Sequence, residues 1–320
     1  MLKLALIILA VTAGLWVAIE VLLRVLFGFG NPLIYIPDAE CGYLLAPSQT
    51  VRRLGNRIEI NEYSMRTGAI APLPPTKSLR VLLLGDSVAN GGWWTDQTDT
   101  ISEIMARQLR LQISNLAIDA QLHSKVNYSD VEVLNCSANS WGPRNQLAYI
   151  KRFGLFGAKA LVLLLNTDDL FTSAPCPAVV GRDRAYPDRK PLMAIGQLLN
   201  RYLLPTIPRD LATPSTQHED KVGCNLEAIR QIKTAASLAN IHFVLAMTPK
   251  RHELGEIGPH EWEVKARERL AELVTTEKIT YIDFLPIFNS AAEPLTFYRD
   301  GIHLSPKGNQ LVSQTINSQM

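Results

Sequence analysis

The chain opens on an apolar run and then changes character twice. From Leu4 to Leu23 the one charged side chain is Glu20, and the run matches the roughly 20 residues that cross a hydrocarbon core. This predicts a transmembrane anchor over residues 1–30, with Lys3 marking one end and Glu20 able to pair with Arg24 one turn later near the other. Residues 31–77 carry few periodic runs and many turn signals, ending in Ala71-Pro72-Leu73-Pro74-Pro75-Thr76. They read as an extended linker segment, with a domain boundary near Lys77. From there to residue 320 short apolar runs at 80–84, 131–134, 160–165, 242–247 and 280–284 alternate with amphipathic stretches at 100–116, from about 145, and at 226–239, 261–275 and 306–316. Strands alternating with helices in this way predict an α/β domain with a parallel sheet and crossover helices. Residues 172–222 interrupt the rhythm with Pro175, Pro177, Pro187, Pro191, Pro205, Pro208 and Pro214, and are expected to form an insertion that acts as a lid or substrate wall.

The apolar run continues into Phe27-Gly28-Phe29-Gly30-Asn31-Pro32 with no small-x-small cleavage site, so an uncleaved single-pass anchor is expected rather than a signal peptide. Its orientation stays open. The signal-anchor character of the run points to an exported domain, whereas Arg24, Arg52, Arg53 and Arg57 after the span would hold that side in the cytoplasm. With 320 residues, one α/β domain with attachments accounts for the length. The 32 Lys and Arg, scattered against 30 Asp and Glu, form no basic stripe, which argues against nucleic acid as a partner. Cys41, Cys136, Cys176 and Cys224 stand apart without metal-ligand spacing, and are expected as small buried or loop thiols. Neither a metal nor an organic cofactor is expected, and oligomeric state is not legible.

Candidate chemistry starts at Gly85-Asp86-Ser87, where a serine stands at the carboxyl end of the first predicted strand of the domain. Open α/β sheets bind ligands at that edge, and the serine N–H, near a following helix start, can help stabilise an oxyanion. By itself the tripeptide is ordinary turn composition. Asp300-Gly301-Ile302-His303, just before the final helix, changes its meaning. Serine needs a base to take its proton, and the base needs an acid to fix its tautomer; a three-residue step in a loop lets Asp300 reach one ring nitrogen of His303 while the other points outward. His123, His218, His242, His252 and His260 lack such a setting and are expected to play structural or surface roles. His252-Glu253-Leu254-Gly255-Glu256 begins like a zinc-protease motif but lacks its second histidine. Gly91-Gly92-Trp93-Trp94 admits two readings, a substrate wall or the packing of the first helix on the sheet.

The strand-Gly-Asp-Ser segment followed near the end of the chain by Asp-x-x-His resembles the SGNH (GDSL-like) serine hydrolases, over about residues 78–316. The anchor and the segment 38–66 also look like those of membrane-tethered bacterial members. The resemblance implies a flavodoxin-like three-layer sandwich, Ser87 as nucleophile and oxyanion donor, His303 as base, Asp300 as its orienter, and Asp86 as a structural carboxylate. In the family's second block a glycine N–H serves the oxyanion hole; here Ser140 takes that place, with Gly142 as the alternative. In the third block an asparagine amide serves it; here the register puts Asp168 in the asparagine's place, with Asn166 two residues earlier. The implied activity is hydrolysis of an ester-linked acyl group on a glycan, lipid or small molecule through an acyl-Ser87 intermediate. Transfer of that acyl group to a polysaccharide hydroxyl is the alternative, and a non-catalytic glycan-binding protein on the same fold is the other.

Overall fold

The computed structural model describes residues 1–119, 128–203 and 219–320. His123, His218 and residues 204–218 of the insertion fall outside these. Helix α1 (Leu2–Phe27) buries none of its residues, and an 18-residue stretch of it has a mean hydropathy of 2.5. It is long and apolar enough to cross a membrane, a description that a signal sequence near an N-terminus also meets.

The next segment departs from expectation. Residues 31–77 do not run as an extended connector: β1 (Tyr35–Asp38) pairs antiparallel with β2 (Gly42–Leu45), and β3 (Gln49–Arg53) with β4 (Asn56–Ile60). The first hairpin turns where Asp38 Oδ1 accepts the N–H groups of Glu40 and Cys41. The second turns through Leu54 and Gly55, both at positive φ, as a two-residue turn of this hand requires. These strands are short, and Leu54 stands where asparagine or aspartate normally signals the turn, so the sequence pattern hides them. Tyr35, Tyr43, Leu44, Leu45, Val51, Ile58 and Ile60 are buried in the same core as the main sheet, which fastens the segment to the domain.

The main sheet consists of β5 (Ser78–Gly85), β6 (Asp130–Ser137), β7 (Ala160–Asn166), β8 (His242–Thr248) and β9 (Thr280–Asp283), all parallel, in the order β6-β5-β7-β8-β9. Between them run α2 (Ser87–Asn90), α3 (Ile101–Asp119), α4 (Pro143–Phe153), α5 (Ala194–Tyr202), α6 (Lys221–Leu238) and α7 (Glu261–Glu277), followed by α8 (Phe284–Asn289) and α9 (Pro306–Asn317). Side chains alternate across the pleat, so Val81 and Leu83 join one core with Met105 of α3 and Val312 of α9. Leu82 and Leu84 join the other, with Ile150 of α4, Ile229 of α6 and Leu270 of α7. Both faces are covered, which is why these strands read as continuous apolar runs rather than as an alternation. The result is an α/β/α sandwich of the flavodoxin-like type.

The insertion is anchored at two places within its described part. Glu20 of α1 accepts the N–H groups of Ala194 and Ile195 at 2.7 and 3.0 Å, and Arg24 bonds both Glu20 and the Leu192 carbonyl. The Tyr35 N–H donates to Pro187 O at 2.9 Å, which seats the insertion against β1. All four cysteines are free thiols.

Candidate active site

Chain direction in the sheet makes the site. β6 lies on one side of β5 and β7 on the other, so the loops that leave their carboxyl ends diverge and open a crevice. Ser87 sits there because Gly85 lets the chain fold back at once: a Cβ on Gly85 would lie 2.5 Å from Ala89 Cβ and 2.9 Å from Leu164 O. Asp86 Oδ1 then accepts the Val88 N–H at 2.8 Å and caps the short α2. Across the crevice, residues 299–303 form a loop closed by a bridge between Tyr298 and Leu304 and by the Arg299 N–H donating to His303 O at 2.8 Å. The Tyr298 hydroxyl donates to Pro249 O beyond β8, and Ser305 caps α9 just after the loop.

These elements bring three side chains into a hydrogen-bonded row. His303 Nε2 lies 3.0 Å from Ser87 Oγ, and His303 Nδ1 lies 2.9 and 3.0 Å from the two oxygens of Asp300. Burial works to raise the Asp300 pKa, but the N–H groups of His303 and Ile302 and the imidazole outweigh it and hold the carboxyl below its usual range. An ionised Asp300 accepts only, so Nδ1 carries the proton and Nε2 offers its lone pair to the serine hydroxyl. Ser87 Oγ has a second neighbour, Asp86 Oδ2, at 3.2 Å.

The remaining residues singled out in the sequence separate. Ser140 has a φ of +60°, the left-handed region that favours glycine, and no hydrogen bond engages its backbone N–H among the described residues. Its turn is gripped by two phenols: Tyr43 donates to Asn139 O at 2.5 Å and Tyr186, from the insertion, to Ser140 Oγ at 2.8 Å. Burial pushes both phenols up, so they stay protonated donors. The N–H of Gly142 is already given to Asn145 Oδ1 at 3.0 Å, where it starts α4, and so is not free for an oxyanion. Asp168 does not take the asparagine's place. Its carboxylate turns away to Lys250 Nζ at 2.8 Å, because the chain leaves β7 in a 3-10 turn rather than continuing the strand on which the register was counted.

Asn166 is the residue that faces Ser87's neighbours. Its amide donates to Asp86 Oδ2 at 2.8 Å and to Asp169 Oδ2 at 3.1 Å, while its own carbonyl oxygen accepts the Asp168 N–H. Both amide hydrogens are thereby committed, and the side chain acts as a strut between two buried carboxyls. Burial raises both of them; Asp169 is pushed well above its usual range by burial and then by the charge of Asp86.

The model of the GDSL-like lipase/acylhydrolase family matches residues 83–311. The chain belongs to that family. Among solved structures it is similar to a putative lipolytic protein of the G-D-S-L family from Desulfitobacterium hafniense, at 13% identity over 75% of this chain and 99% of that one, with a TM-score of 0.44. It is similar also to a lipase/acylhydrolase from Enterococcus faecalis, at 14% identity over 75% and 94% of the two chains with a TM-score of 0.43. The acetyl xylan esterase AlAXEase aligns at 12% identity over 76% and 100%, with a TM-score of 0.45. No curated protein matches. Family membership supports a hydrolase of ester substrates.

Two further features of this GDSL-like chain bear on the site. The Trp94 ring lies 4.3 Å from the His303 ring, with Trp93 edge-on to it and the Arg299 guanidinium over both indoles. Contact with the imidazole is neither of the two readings of the tryptophan pair; Trp93 also packs against the core that holds the hairpins. The pair is held there by Arg66, fully buried, which donates to the carbonyls of Asn90, Gly92 and Thr95. No local pattern marks Arg66, since its partners are carbonyls some distance along the chain. Away from the crevice, His252, His260 and Glu263 bring ligand-type atoms within 4.8 Å of one another. His252 Nε2 and the His260 N–H already bond Glu263, and the Lys250 ammonium stands 3.6 Å from it, which opposes a second cation there.

Proposed function

We propose that the protein is a serine ester hydrolase in which Ser87, His303 and Asp300 act as a triad through an acyl-Ser87 intermediate. The observation that carries this is the 3.0 Å contact of His303 Nε2 with Ser87 Oγ, with Asp300 on the opposite ring nitrogen. Ser87 Oγ attacks the ester carbonyl carbon as its proton passes to His303 Nε2, and Asp300 stabilises the imidazolium that forms. Collapse of the tetrahedral adduct breaks the bond to the alcohol oxygen, which takes the proton from His303. Water then attacks the acyl carbon, giving its proton to His303, and the acid leaves as Ser87 recovers its hydrogen. The oxyanion is served by the backbone N–H groups of Ser87 and Ser140. With the Asn166 amide committed elsewhere, this reading assigns them no side-chain donor among the described residues, and each donor in such a hole is worth about 3–4 kcal/mol. In this reading α1 holds the hydrolase at a membrane.

Short aryl esters test the assignment. Ser87→Ala and His303→Ala are each expected to lower kcat on the order of 10⁴-fold or more with unchanged thermal melting, and the double variant is expected to be little worse, because triad members work as a unit. Turnover near that of the unmodified protein in Ser87→Ala would refute it.

A further inference from the structure

Beside the candidate triad, among the described residues, lies a cavity of about 200 Å³ between the second hairpin, the tryptophan pair and α5. Arg53, Arg184 and Arg201 line it, and none of its lining residues is Asp or Glu. Arg53 is the unusual one. It is only 6% exposed, its guanidinium lies 3.6 Å over the Phe29 ring, and its Nη1 reaches Gly28 O at 3.4 Å. Its Nη2 is buried with no hydrogen-bond partner. Two more orphaned atoms, Asn31 Oδ1 and Asn139 Oδ1, belong to residues lining the same cavity.

A buried polar atom without a partner costs about 1–3 kcal/mol, and native structures tolerate few of them. These three atoms lie behind the cavity wall with almost no accessible surface, so what the cavity itself presents is the charge of three arginines with no acid among its lining residues. Guanidinium hydrogens call for an anionic oxygen. Burial and then the neighbouring Arg201 push the Arg53 pKa down, against the Tyr202 phenol beside the guanidinium, which works to raise it. The rest of the wall is apolar and aromatic, including Leu33, Val51 and Trp93.

Position narrows the source of the ligand. Asn31, Pro32 and Leu33 follow directly on the apolar helix α1, and the Gly30 N–H is fixed to Gln197 of α5 at 2.6 Å. The cavity therefore begins within a turn or so of the point where α1 would leave a bilayer. On its other side it shares Trp94 with His303, and Asn139 immediately precedes Ser140.

We propose that this cavity is the recognition subsite for the ester substrate, and that it takes an anionic amphiphile, a phosphate or carboxylate joined to an apolar chain, from the membrane surface. The link to ester cleavage rests on the hydrolase reading above; the binding does not. The test uses full-length Ser87→Ala protein in dodecyl maltoside micelles, with tryptophan fluorescence reporting binding of dodecyl phosphate and, separately, of inorganic phosphate. Saturable binding of dodecyl phosphate is expected, at least ten-fold tighter than inorganic phosphate and at least ten-fold weaker when the half-buried Arg201 is changed to Gln. In a second arm, with Ser87 intact, Arg201→Gln is expected to lower the ratio of kcat/KM for an anionic long-chain ester over a neutral one at least ten-fold. Absence of saturable binding, or binding indifferent to Arg201→Gln, overturns the site. Equal binding of inorganic phosphate overturns the amphiphile. If neutral esters are cleaved through Ser87 but dodecyl phosphate does not bind, the hydrolase reading stands and this inference falls. If dodecyl phosphate binds and no ester is cleaved, the hydrolase reading falls and the cavity is no substrate subsite.

Discussion

Replacing Asn166 by alanine removes the strut between two buried carboxyls, and its cost can be worked from the contacts. The amide gives one hydrogen bond to Asp86 and one to Asp169, and its oxygen caps the Asp168 N–H. Bonds to charged groups are worth roughly 1.5–3 kcal/mol each and a helical cap about 1 kcal/mol. Because the Asp169 carboxyl keeps the Asn166 backbone N–H, the sum is not fully lost, and Asn166→Ala is expected to destabilise by about 3–5 kcal/mol. That is a large part of the 5–15 kcal/mol typical of a folded domain. The loss should also depend on pH. Both carboxyls have folded pKa values raised above their unfolded ones, so the folded state binds the extra proton, and the stability this contributes is present at low pH and is lost as pH rises through the folded values. The amide donors favour the ionised forms, so without them ionisation of either carboxyl costs more and the variant's deficit is expected to be larger at pH 8 than at pH 5. Urea unfolding of the full-length protein in neutral detergent, at both pH values with matched m-values, measures it. A deficit under about 1 kcal/mol at pH 8, or one larger at pH 5, would refute the strut.

Two other perturbations separate residues that the sequence left in competition. Asp168→Asn is expected to leave aryl-ester kcat/KM within about two-fold and to cost no more than about 1 kcal/mol, because its partner Lys250 is met at a half-exposed surface; a clear rise in activity at neutral pH would return that carboxylate to the oxyanion hole. The full-length chain is expected to stay with membranes through alkaline carbonate extraction, since about 20 apolar residues insert in an effectively irreversible way, and recovery of intact protein in the soluble fraction would remove the anchor.

The sheet and its helices were legible because buried parallel strands announce themselves as continuous apolar runs, Val81 to Leu84 among them, between amphipathic stretches. Ser87, Asp300 and His303 were legible as a candidate set because serine chemistry would need a base and its orienter near a strand end, and each lies in a short local motif. The hairpins of residues 35–60 were not, since a two-residue turn through Leu54 lacks the usual turn residue and each strand is only four or five residues long. The choice between Asn166 and Asp168 failed for a geometric reason: counting along an ideal strand ignores the 3-10 turn that starts at Thr167 and swings Asp168 outward. Arg53, Arg66 and Tyr186 were invisible because their partners come from distant segments, and the union of α1 with the insertion through Glu20 was invisible for the same reason.

Labelling with a serine-directed fluorophosphonate tests the central claim most directly, because the reagent phosphonylates only a serine whose hydroxyl proton can be taken by a base as the bond forms. The full-length protein in detergent, treated with the probe and digested, is expected to carry one stoichiometric adduct on the peptide containing Ser87, and His303→Ala is expected to abolish it while the protein still melts cooperatively. An unlabelled Ser87, an adduct on another serine such as Ser140, or labelling of Ser87 that persists in His303→Ala would contradict the account.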